Sequence, residues 1–333
     1  MSRKEIISLV ILILVVGVGA YRYFNRSFTE TKSKYLLDTI VEVSATSQSK
    51  MINRQIDSVF AYIEKLEAKL DEYDSNSLVS KINESSRTSF PMDPDIYQML
   101  IIADSLYTLT DGSFDVTIKP VFDLWGFSSE TPAVPDSNLI KDEMKKVGFK
   151  KLRFDSHRLY KPTGMKLSFG AIAKGFILDK ARDYMLSLGL NKGYINCRSS
   201  MTFYGNSIPQ IVYIQHPRKA DDSIASFKIN NTSVGTSGDY QQFFEIDGIR
   251  YHHILDAKTG YPVSNMYSVT VVNPSAAWAD GYSTALFLMD PNTVIQKTKA
   301  IKDFNAVIYY DQDGSPVSLK TLGMKDLELS EKL

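Results

Sequence analysis

Residues 267–289, YSVTVVNPSAAWADGYSTALFLM, combine a strand pattern and a helix pattern around one turn. Tyr267–Val272 is rich in β-branched residues, which favour a strand, and Asn273-Pro274 ends it. Ser275 is a suitable N-cap for a helix that runs to about Met289. The segment therefore predicts a chain of mixed α and β class.

Three segments that precede it carry helical patterns. Met51–Leu70 has apolar residues at three- and four-residue spacing, and Pro94–Leu109 is a second candidate helix. A third helix is expected to begin near Ile172 and to end at Gly189, a residue type that commonly follows a helix C-terminus.

Further strands are indicated by short runs of β-branched, aromatic and alternating apolar residues. These runs are Leu36–Val43, Gly193–Cys197, Gln210–Gln215, Ser223–Ile229, Gln242–Ile246, Val307–Tyr310 and Val317–Leu319. The last two flank Asp313-Gly314 and predict a hairpin. Because helices and strands come in runs rather than in strict alternation, the predicted fold class is α+β and not doubly wound. Residues 35–333 are expected to form one domain of mixed sheets and helices.

Composition narrows the class of protein. Of 333 residues, 44% are apolar and 23% are charged, as in ordinary folded domains. The 38 basic and 38 acidic side chains give a net charge of zero, whereas nucleic-acid-binding proteins usually carry a basic excess. No nucleic-acid partner is therefore expected. The single cysteine, Cys197, allows no internal disulfide and is expected to be a small buried residue.

The N-terminus predicts an attachment to a membrane. Arg3 and Lys4 precede an apolar run, Ile6–Ala20, which is followed by aromatic residues suited to a headgroup zone. Residues 1–26 are interpreted as a transmembrane anchor or signal segment, and residues 27–34 as a polar tether to the domain.

A cleaved signal peptide is the alternative interpretation of that run. Val18 and Ala20 are small enough for a cleavage site. Arg22 and Arg26 follow directly, which favours an uncleaved anchor.

Asp280 and Thr284 form the first constellation that could carry chemistry. Four residues apart on a helix, they share one face. A carboxylate and a hydroxyl are hard oxygen ligands that suit Mg²⁺ completed by phosphate oxygens. The simpler alternative is that Asp280 only occupies an early helical turn, where the helix dipole favours an acid.

A glycine-containing turn at residues 168–175 is the second constellation. Such a turn at a helix start presents free N–H groups to an anion, and Lys174 adds a positive charge. The GxxxxGK[ST] pattern of a Walker A loop does not occur here.

The third constellation places two of the four histidines, His252 and His253, beside Asp256. A histidine can act as a base or a phosphate partner near neutral pH, although a lone pair of histidines is more often structural. No His/Glu spacing typical of a zinc site supports these histidines as metal ligands.

Taken together and in this order, these segments resemble the ApbE family of FAD:protein FMN transferases, over about Leu36–Leu288. The pieces that carry the resemblance are Tyr73-Asp74-Ser75-Asn76-Ser77 with Asn83; Thr110-Asp111-Gly112-Ser113-Phe114-Asp115; Leu124-Trp125-Gly126-Phe127; Ala171-Ile172-Ala173-Lys174-Gly175; Ser237-Gly238-Asp239-Tyr240; His253-Ile254-Leu255-Asp256 with Thr259-Gly260-Tyr261-Pro262; and Ala279-Asp280 with Thr284-Ala285.

The resemblance implies a role for each matching residue. Mg²⁺ would be held by the backbone carbonyl of Ala171 and the side chains of Asp280 and Thr284. His253 would lie near the phosphates, and His253 or Asp256 would assist proton removal. The FAD pocket would include Tyr73, Ser113, Phe114, Asp115, Ser168, Lys174 and Ile254.

The chain departs from the family pattern in several places. Asn196-Cys197-Arg198-Ser199-Ser200 stands where the family has Asn-x-Gly-Gly-Asp, and Ser168 stands where it has Asp. Asp38 replaces a Gly before Thr39, and Ala257 replaces a proline. Loss of the two glycines removes an easy close approach of backbone to ligand.

The expected function is Mg²⁺-dependent transfer of FMN from FAD to a Ser or Thr hydroxyl of an acceptor flavoprotein, with release of AMP. Hydrolysis of FAD to FMN and AMP, and non-catalytic FAD binding, are the alternatives. The family resemblance implies a single-pass protein of the inner membrane, with an extracytoplasmic domain and a membrane or extracytoplasmic acceptor.

Overall fold

The computed structural model describes residues 2–24, 26–127, 129 and 131–332. The helices are α1 (Arg3–Phe24), α2 (Ile52–Leu70), α3 (Leu78–Glu84), α4 (Pro94–Leu109), α5 (Lys119–Trp125), α6 (Ser137–Met144), α7 (Ala173–Ser187), α8 (Ala276–Phe287) and α9 (Pro291–Thr298). The strands of the first half are β1 (Phe28–Leu36), β2 (Thr39–Ser47), β3 (Ser89–Pro91), β4 (Arg153–Phe154), β5 (Arg158–Tyr160), β6 (Lys192–Asn196), β7 (Ser200–Tyr204), β8 (Gln210–His216) and β9 (Lys219–Ile229). Those of the second half are β10 (Ser233–Gly238), β11 (Phe243–Ile246), β12 (Ile249–His252), β13 (Leu255–Asp256), β14 (Tyr261–Pro262), β15 (Met266–Asn273), β16 (Asn305–Gln312), β17 (Ser315–Lys320) and β18 (Ser330–Glu331).

A long antiparallel sheet organises the chain. Its strand order is β1-β2-β6-β7-β10-β15-β16-β17, and every neighbouring pair is antiparallel. Smaller sheets are formed by β18-β9-β8, β3-β5-β4, β11-β12 and β13-β14. Antiparallel pairing of strands that come in runs confirms the predicted α+β class.

Helices α2, α7 and α8 form a layer with this sheet, in which α8 contacts α7, β10 and β15. The apolar stripe of α2 explains its docking, because its buried residues recur at three- and four-residue spacing. They are Ile52, Ile56, Val59, Phe60, Ile63, Leu66 and Leu70. Each such side chain contributes roughly 1.5–3 kcal/mol relative to exposure.

A second apolar cluster joins β8 and β9 to β7, β10, β15 and β16. Phe227 of β9 and Tyr309 of β16 are among its fully buried side chains. β15 is buried at nearly every position because α8 packs against it and this cluster also contains its Val272.

Most predicted elements are confirmed. α2, α4, α7 and α8 lie within a few residues of their predicted bounds, and Ser275 caps α8 by accepting a hydrogen bond from the Trp278 N–H. The predicted β16–β17 hairpin is also present.

Two predictions near the N-terminus were wrong. The predicted tether is mostly β1, which pairs with β2 from Phe28↔Ser47 to Leu36↔Thr39. The predicted strand Leu36–Val43 is interrupted by Leu37 and Asp38, whose positive φ angles of 55° and 57° turn the chain. Alternating polar residues such as those of β1 suit a strand with exposed faces, and so a polar composition did not distinguish strand from tether.

Among the described residues, one helix is long and apolar enough to cross a membrane, over Arg3–Arg22. It does not pack against the rest of the chain. Length and composition support an anchor, and a signal sequence near the N-terminus shares both properties.

Candidate active site

A cavity of about 1120 Å³ lies among the loops that join these elements. Its wall includes residues from the α2–α3 loop, the segment before α7, the β6–β7 turn, β10, the segment after β12, and α8. Of the residues predicted to form the site, those that line the cavity are Tyr73, Phe114, Asp115, Ser168, Ala171, Lys174, His253, Ile254, Asp280 and Thr284.

Asp280 is held at a fixed place in this wall. Its Oδ2 accepts the Gly175 N–H at 2.9 Å, and its Oδ1 accepts the Ser200 hydroxyl at 2.9 Å. Burial raises the pKa of this carboxyl, whereas the nearby Lys174 ammonium and the two hydrogen bonds act in the opposite direction. The carboxylate is therefore oriented by backbone and hydroxyl donors before any ligand binds.

Two glycines allow the elements around Asp280 to approach closely. A Cβ at Gly175 would lie 2.1 Å from the Ala276 carbonyl oxygen, and one at Gly235 would lie 2.5 Å from the Ala279 carbonyl carbon. Neither is compatible with van der Waals contact, so only glycine lets α7 and β10 touch the backbone of α8.

Because α7 contacts α8, the Ala171 carbonyl oxygen has no hydrogen-bond donor among the described residues. In a continuous helix the Gly175 N–H would bond to the carbonyl four residues earlier, which is that of Ala171. The Gly175 N–H donates to Asp280 instead. Within the described residues, the Ala171 carbonyl accepts no hydrogen bond and lines the cavity.

Thr284 lies one turn after Asp280 on α8. Its Oγ1 is 2.9 Å from the Ser237 Oγ of β10, which is also 2.8 Å from the Ser283 Oγ. The hydroxyl is thus tied to β10 on the same side as Asp280.

The donor set of this wall fits Mg²⁺. A carboxylate, a hydroxyl and an unengaged backbone carbonyl, from Asp280, Thr284 and Ala171, are hard oxygen ligands, and Mg²⁺ commonly takes few protein ligands and completes its shell with water and phosphate. In the part of the chain that the structure describes, no cluster of three or more His, Cys, Asp or Glu residues forms a different metal site.

Lys174 adds a positive charge beside this donor set. It lies in the first turn of α7 and lines the cavity. Across the described ranges its ammonium has no hydrogen bond or ion pair at close range. A free ammonium at a helix N-terminus favours an anionic ligand.

The two histidines have different environments. His252 is buried, and both ring nitrogens are engaged: Nε2 is 2.8 Å from the Val263 carbonyl oxygen, and Nδ1 accepts the Ile254 N–H at 3.2 Å. Its role is structural.

His253 instead lines the cavity. Its Nδ1 lies 3.1 Å from the Gln242 carbonyl oxygen, which can only accept, so Nδ1 carries the proton and Nε2 is the basic nitrogen. Burial, with a smaller effect from His252, lowers the pKa of His253 to about 4. The imidazole is therefore neutral at neutral pH, with an unprotonated Nε2.

Two predicted site residues do not line the cavity. Asp256 ends β13, and its Oδ1 accepts the Lys258 N–H at 2.9 Å. Ser113 is buried, and its carbonyl accepts the Ala257 N–H at 3.0 Å. Both residues hold loops that lead to the cavity.

Asp115 lines the cavity, but its carboxylate is occupied. Oδ1 accepts the N–H and the hydroxyl of Thr117 at 2.8 and 2.7 Å, and Oδ2 accepts the Phe149 N–H at 2.7 Å. Burial raises the pKa of this carboxyl, and these hydrogen bonds oppose the change. Asp115 thus fixes the loop that carries Phe114.

The β6–β7 turn contains the main departure from the family pattern. Arg198 adopts a left-handed φ of 67°, a conformation that favours glycine. Ser200 nevertheless reaches Asp280 through its hydroxyl. Cys197 is buried as predicted, and burial raises the pKa of its thiol to about 11, which makes it a poor nucleophile.

Some site residues were not predicted from the sequence. Gly235, Ser200 and Ser237 orient the side chains of α8, yet a short run of Gly, Ser and Thr has no strong pattern. Glu72 and Lys119 lie beside Tyr73. The position of Glu72 directly before the Tyr73 motif was the available signal.

Comparison with known proteins identifies the family of this chain. A sequence model of the ApbE family matches residues 37–308. The FAD:protein FMN transferase of Haemophilus influenzae is 29% identical over 79% of this chain and 78% of its own, and that of Klebsiella pneumoniae is 33% identical over 69% and 73%. The crystal structure of the ApbE protein of Thermotoga maritima superposes with a TM-score of 0.83 and 30% identity, covering 90% of this chain and 99% of that one. The family match spans most of the chain, and its fold and sequence relatives agree, so the chain belongs to the ApbE family.

Proposed function

We propose that this protein is an FAD:protein FMN transferase that moves FMN from FAD to a Ser or Thr hydroxyl of an acceptor flavoprotein and releases AMP. The observation that carries the proposal is the joint placement of the open Ala171 carbonyl, the Asp280 carboxylate and the Thr284 hydroxyl in one cavity wall. The relatives named above bear the same activity in their names.

Ala171, Asp280 and Thr284 would hold Mg²⁺, which when bound neutralises charge on the pyrophosphate of FAD. Lys174, which lines the cavity in the first turn of α7, would bind the phosphate oxygens. The cavity, at about 1120 Å³, is large enough for a dinucleotide.

In the reaction, the acceptor oxygen forms a bond to the FMN phosphorus, and the bond from that phosphorus to the pyrophosphate bridging oxygen breaks. His253 would accept the hydroxyl proton at Nε2, and AMP would leave with the bridging oxygen. His253 is favoured over Asp256 because it lines the cavity and Asp256 does not.

We further propose that α1 is a single-pass anchor in the inner membrane and that the domain is extracytoplasmic, where it meets a membrane or extracytoplasmic flavoprotein. The apolar helix supports the anchor. The test is a fusion, after the last residue, of a reporter that is active only in the cytoplasm. Activity of this fusion would contradict the proposal.

The assay contains the full chain in detergent, FAD, Mg²⁺ and an acceptor domain whose threonine is a candidate site of flavinylation. The control is the same acceptor domain with that threonine replaced by alanine. In-gel flavin fluorescence of the acceptor and AMP release are measured together. Equal amounts of both products, lost with EDTA, are expected. AMP at full rate without a labelled acceptor would assign hydrolysis, and bound FAD with neither product would assign a non-catalytic binding protein.

A further inference from the structure

Glu72 is a buried carboxylate in the cavity wall. It lies in the α2–α3 loop, lines the cavity, and its side chain is only 9% exposed. Burial of a carboxylate is unfavourable unless partners compensate it, and here burial raises its pKa above the ordinary value. Because burial of this carboxylate is energetically unfavourable, its position in the cavity wall points to a function in ligand binding.

The partners of Glu72 leave part of its acceptor capacity unused. Its Oε2 accepts the Phe169 N–H at 3.1 Å, and the neighbouring Ser168 side chain lowers the pKa of the carboxyl. Its Oε1 is 3.5 Å from the Lys119 Nζ, which is an ion pair rather than a short hydrogen bond. A carboxylate accepts about four hydrogen bonds, so the described partners do not saturate it.

Lys119 stands behind Glu72 rather than in the cavity. Its side chain is 6% exposed, and it does not line the cavity. Asp123 already neutralises it at 2.6 Å, so the cluster of Glu72, Asp123 and Lys119 has one negative charge in excess. An excess of negative charge facing a cavity suits a ligand that donates hydrogen bonds.

Tyr73 supplies a flat surface next to that acceptor. Its ring is 53% exposed, lines the cavity and contacts Lys119 with the ammonium 4.2 Å from the ring centre. A ring that stacks on Tyr73 would bring its edge near Glu72.

From these contacts we infer that Glu72 is a specificity-determining residue that accepts a hydrogen bond from an edge N–H of the nucleotide ring stacked on Tyr73. Lys119 is a positioning residue that holds both side chains. The inference rests on the proposed function and deepens it. It also accounts for Ser168: the carboxylate that the family pattern places at this position comes here from Glu72, whose Oε2 accepts the N–H of the next residue, Phe169.

The test measures FAD binding to the full chain by flavin fluorescence, so it does not depend on turnover. Glu72→Gln keeps the size and removes the charge, and we expect the Kd for FAD to rise about 10- to 100-fold, as for loss of a hydrogen bond to a charged group. Glu84→Gln is the matched control, because Glu84 pairs with Lys166 at 2.7 Å and does not line the cavity. It should bind FAD as the wild type does.

Rescue distinguishes recognition from folding. Glu72→Ala should weaken FAD binding, and the double variant Glu72→Ala/Ser168→Asp should regain most of it, because a carboxylate returns to the same wall. Thermal unfolding of each variant checks that the fold is retained. Binding of FAD within twofold of wild type by both Glu72 variants would overturn the inference.

Half-ligands identify the ring. FMN and AMP are the two halves of FAD, and the affinity of Glu72→Gln for each is compared with that of the wild type. If Glu72→Gln binds FMN more weakly than the wild type does, but the two proteins bind N3-methyl FMN equally, the donor is the flavin imide N–H. If Glu72→Gln binds AMP more weakly, the donor is the adenine amine. A loss for neither half-ligand overturns the inference. Failure of the proposed function would appear differently, as wild-type protein that binds FAD but labels no acceptor.

Discussion

Two parts of the cavity wall are built in different ways. The α7–α8 wall, formed by Ala171, Gly175, Asp280 and Thr284, depends on backbone contacts that only glycine permits. The Glu72 wall, formed by Glu72, Tyr73 and Ser168, depends on side chains and a loop.

The four residues that form the first wall match the family pattern described above, whereas Ser168 of the second wall departs from it. Oxygen ligands for a cation and its phosphate must be fixed to within a fraction of an ångström, so their backbone support tolerates little change. A hydrogen-bond acceptor at a ring edge can be supplied by either of two neighbouring side chains. On the inference above, Glu72 supplies in this chain the carboxylate that Ser168 lacks.

The largest effect is expected from Asp280→Ala in the α7–α8 wall. Loss of the carboxylate should remove metal-dependent transfer, with a fall of at least about 100- to 1,000-fold in kcat, as for a group that stabilises transition-state charge. Acceptor labelling and AMP release measure it. Asp290→Ala, at the N-cap of α9, is a control that should retain the activity. Undiminished turnover in Asp280→Ala would remove the basis for treating this wall as the reaction centre.

His253→Gln should reduce kcat about 100-fold, the usual contribution of a general base. His252→Gln is the comparison, because both ring nitrogens of His252 are engaged in the fold. His252→Gln should lower the unfolding temperature and leave kcat close to that of the wild type. Equal rate losses in the two variants would contradict the assignment of His253 as the base.

His253→Gln should also change how the stability of the protein depends on pH. The folded state keeps His253 neutral down to a pKa of about 4, whereas the unfolded chain binds a proton near the ordinary value of about 6.5. As pH falls through this window the unfolded state gains the proton first, so stability is lost. Urea unfolding between these pH values should show a shallower loss in His253→Gln than in the wild type.

A smaller effect, on stability, is expected from Gly175→Ala. The added Cβ would clash with the Ala276 carbonyl and separate α7 from α8, at a cost of about 1–3 kcal/mol in unfolding free energy. Gly170→Ala is the matched control, because the nearest atom to its added Cβ is 3.8 Å away. Denaturant titration of both variants measures the difference, and equal stability would show that the close approach is not required.

The smallest change is expected at the β6–β7 turn, where Arg198→Gly relieves a left-handed φ. We expect a gain of up to about 1 kcal/mol in stability. Asp313→Gly, with a φ of 54° outside the cavity wall, is the control and should gain a smaller amount, because aspartate tolerates this conformation better than arginine. Turnover should change by less than about threefold, because Ser200 still orients Asp280. A large loss of turnover would move Arg198 into the reaction centre.

The sequence predicted the residues of the α7–α8 wall, but it did not predict β10, the strand that packs against α8. The helical spacing of Asp280 and Thr284 indicated their shared face, and the structure places both in the cavity. β10 was missed because Ser233–Gly238 has small residues of low β propensity. The Gly235 that weakens the strand signal is required for contact with α8.

The Glu72 wall was predicted only in part. Tyr73 and Ser168 were assigned from the family resemblance, whereas the pairing of Ser168 with Glu72 joins segments 96 residues apart in sequence. Such a contact depends on tertiary packing, and no local pattern reports it. The predicted tether was wrong for a related reason, since the pairing of β1 with β2 determines its structure.

The diversion of the Gly175 N–H from Ala171 to Asp280 links ligand capture to completion of the fold. Before α8 docks, α7 can begin one turn earlier and consume the Ala171 carbonyl in an ordinary helical bond. The carbonyl and the carboxylate become available together only after docking. By thermodynamic linkage, a divalent cation bound there would stabilise the native state by RT ln(1 + [L]/Kd). The native packing of α7 on α8 therefore presents the carbonyl and the carboxylate together, and a cation that uses both would bind the folded chain and not the unfolded one.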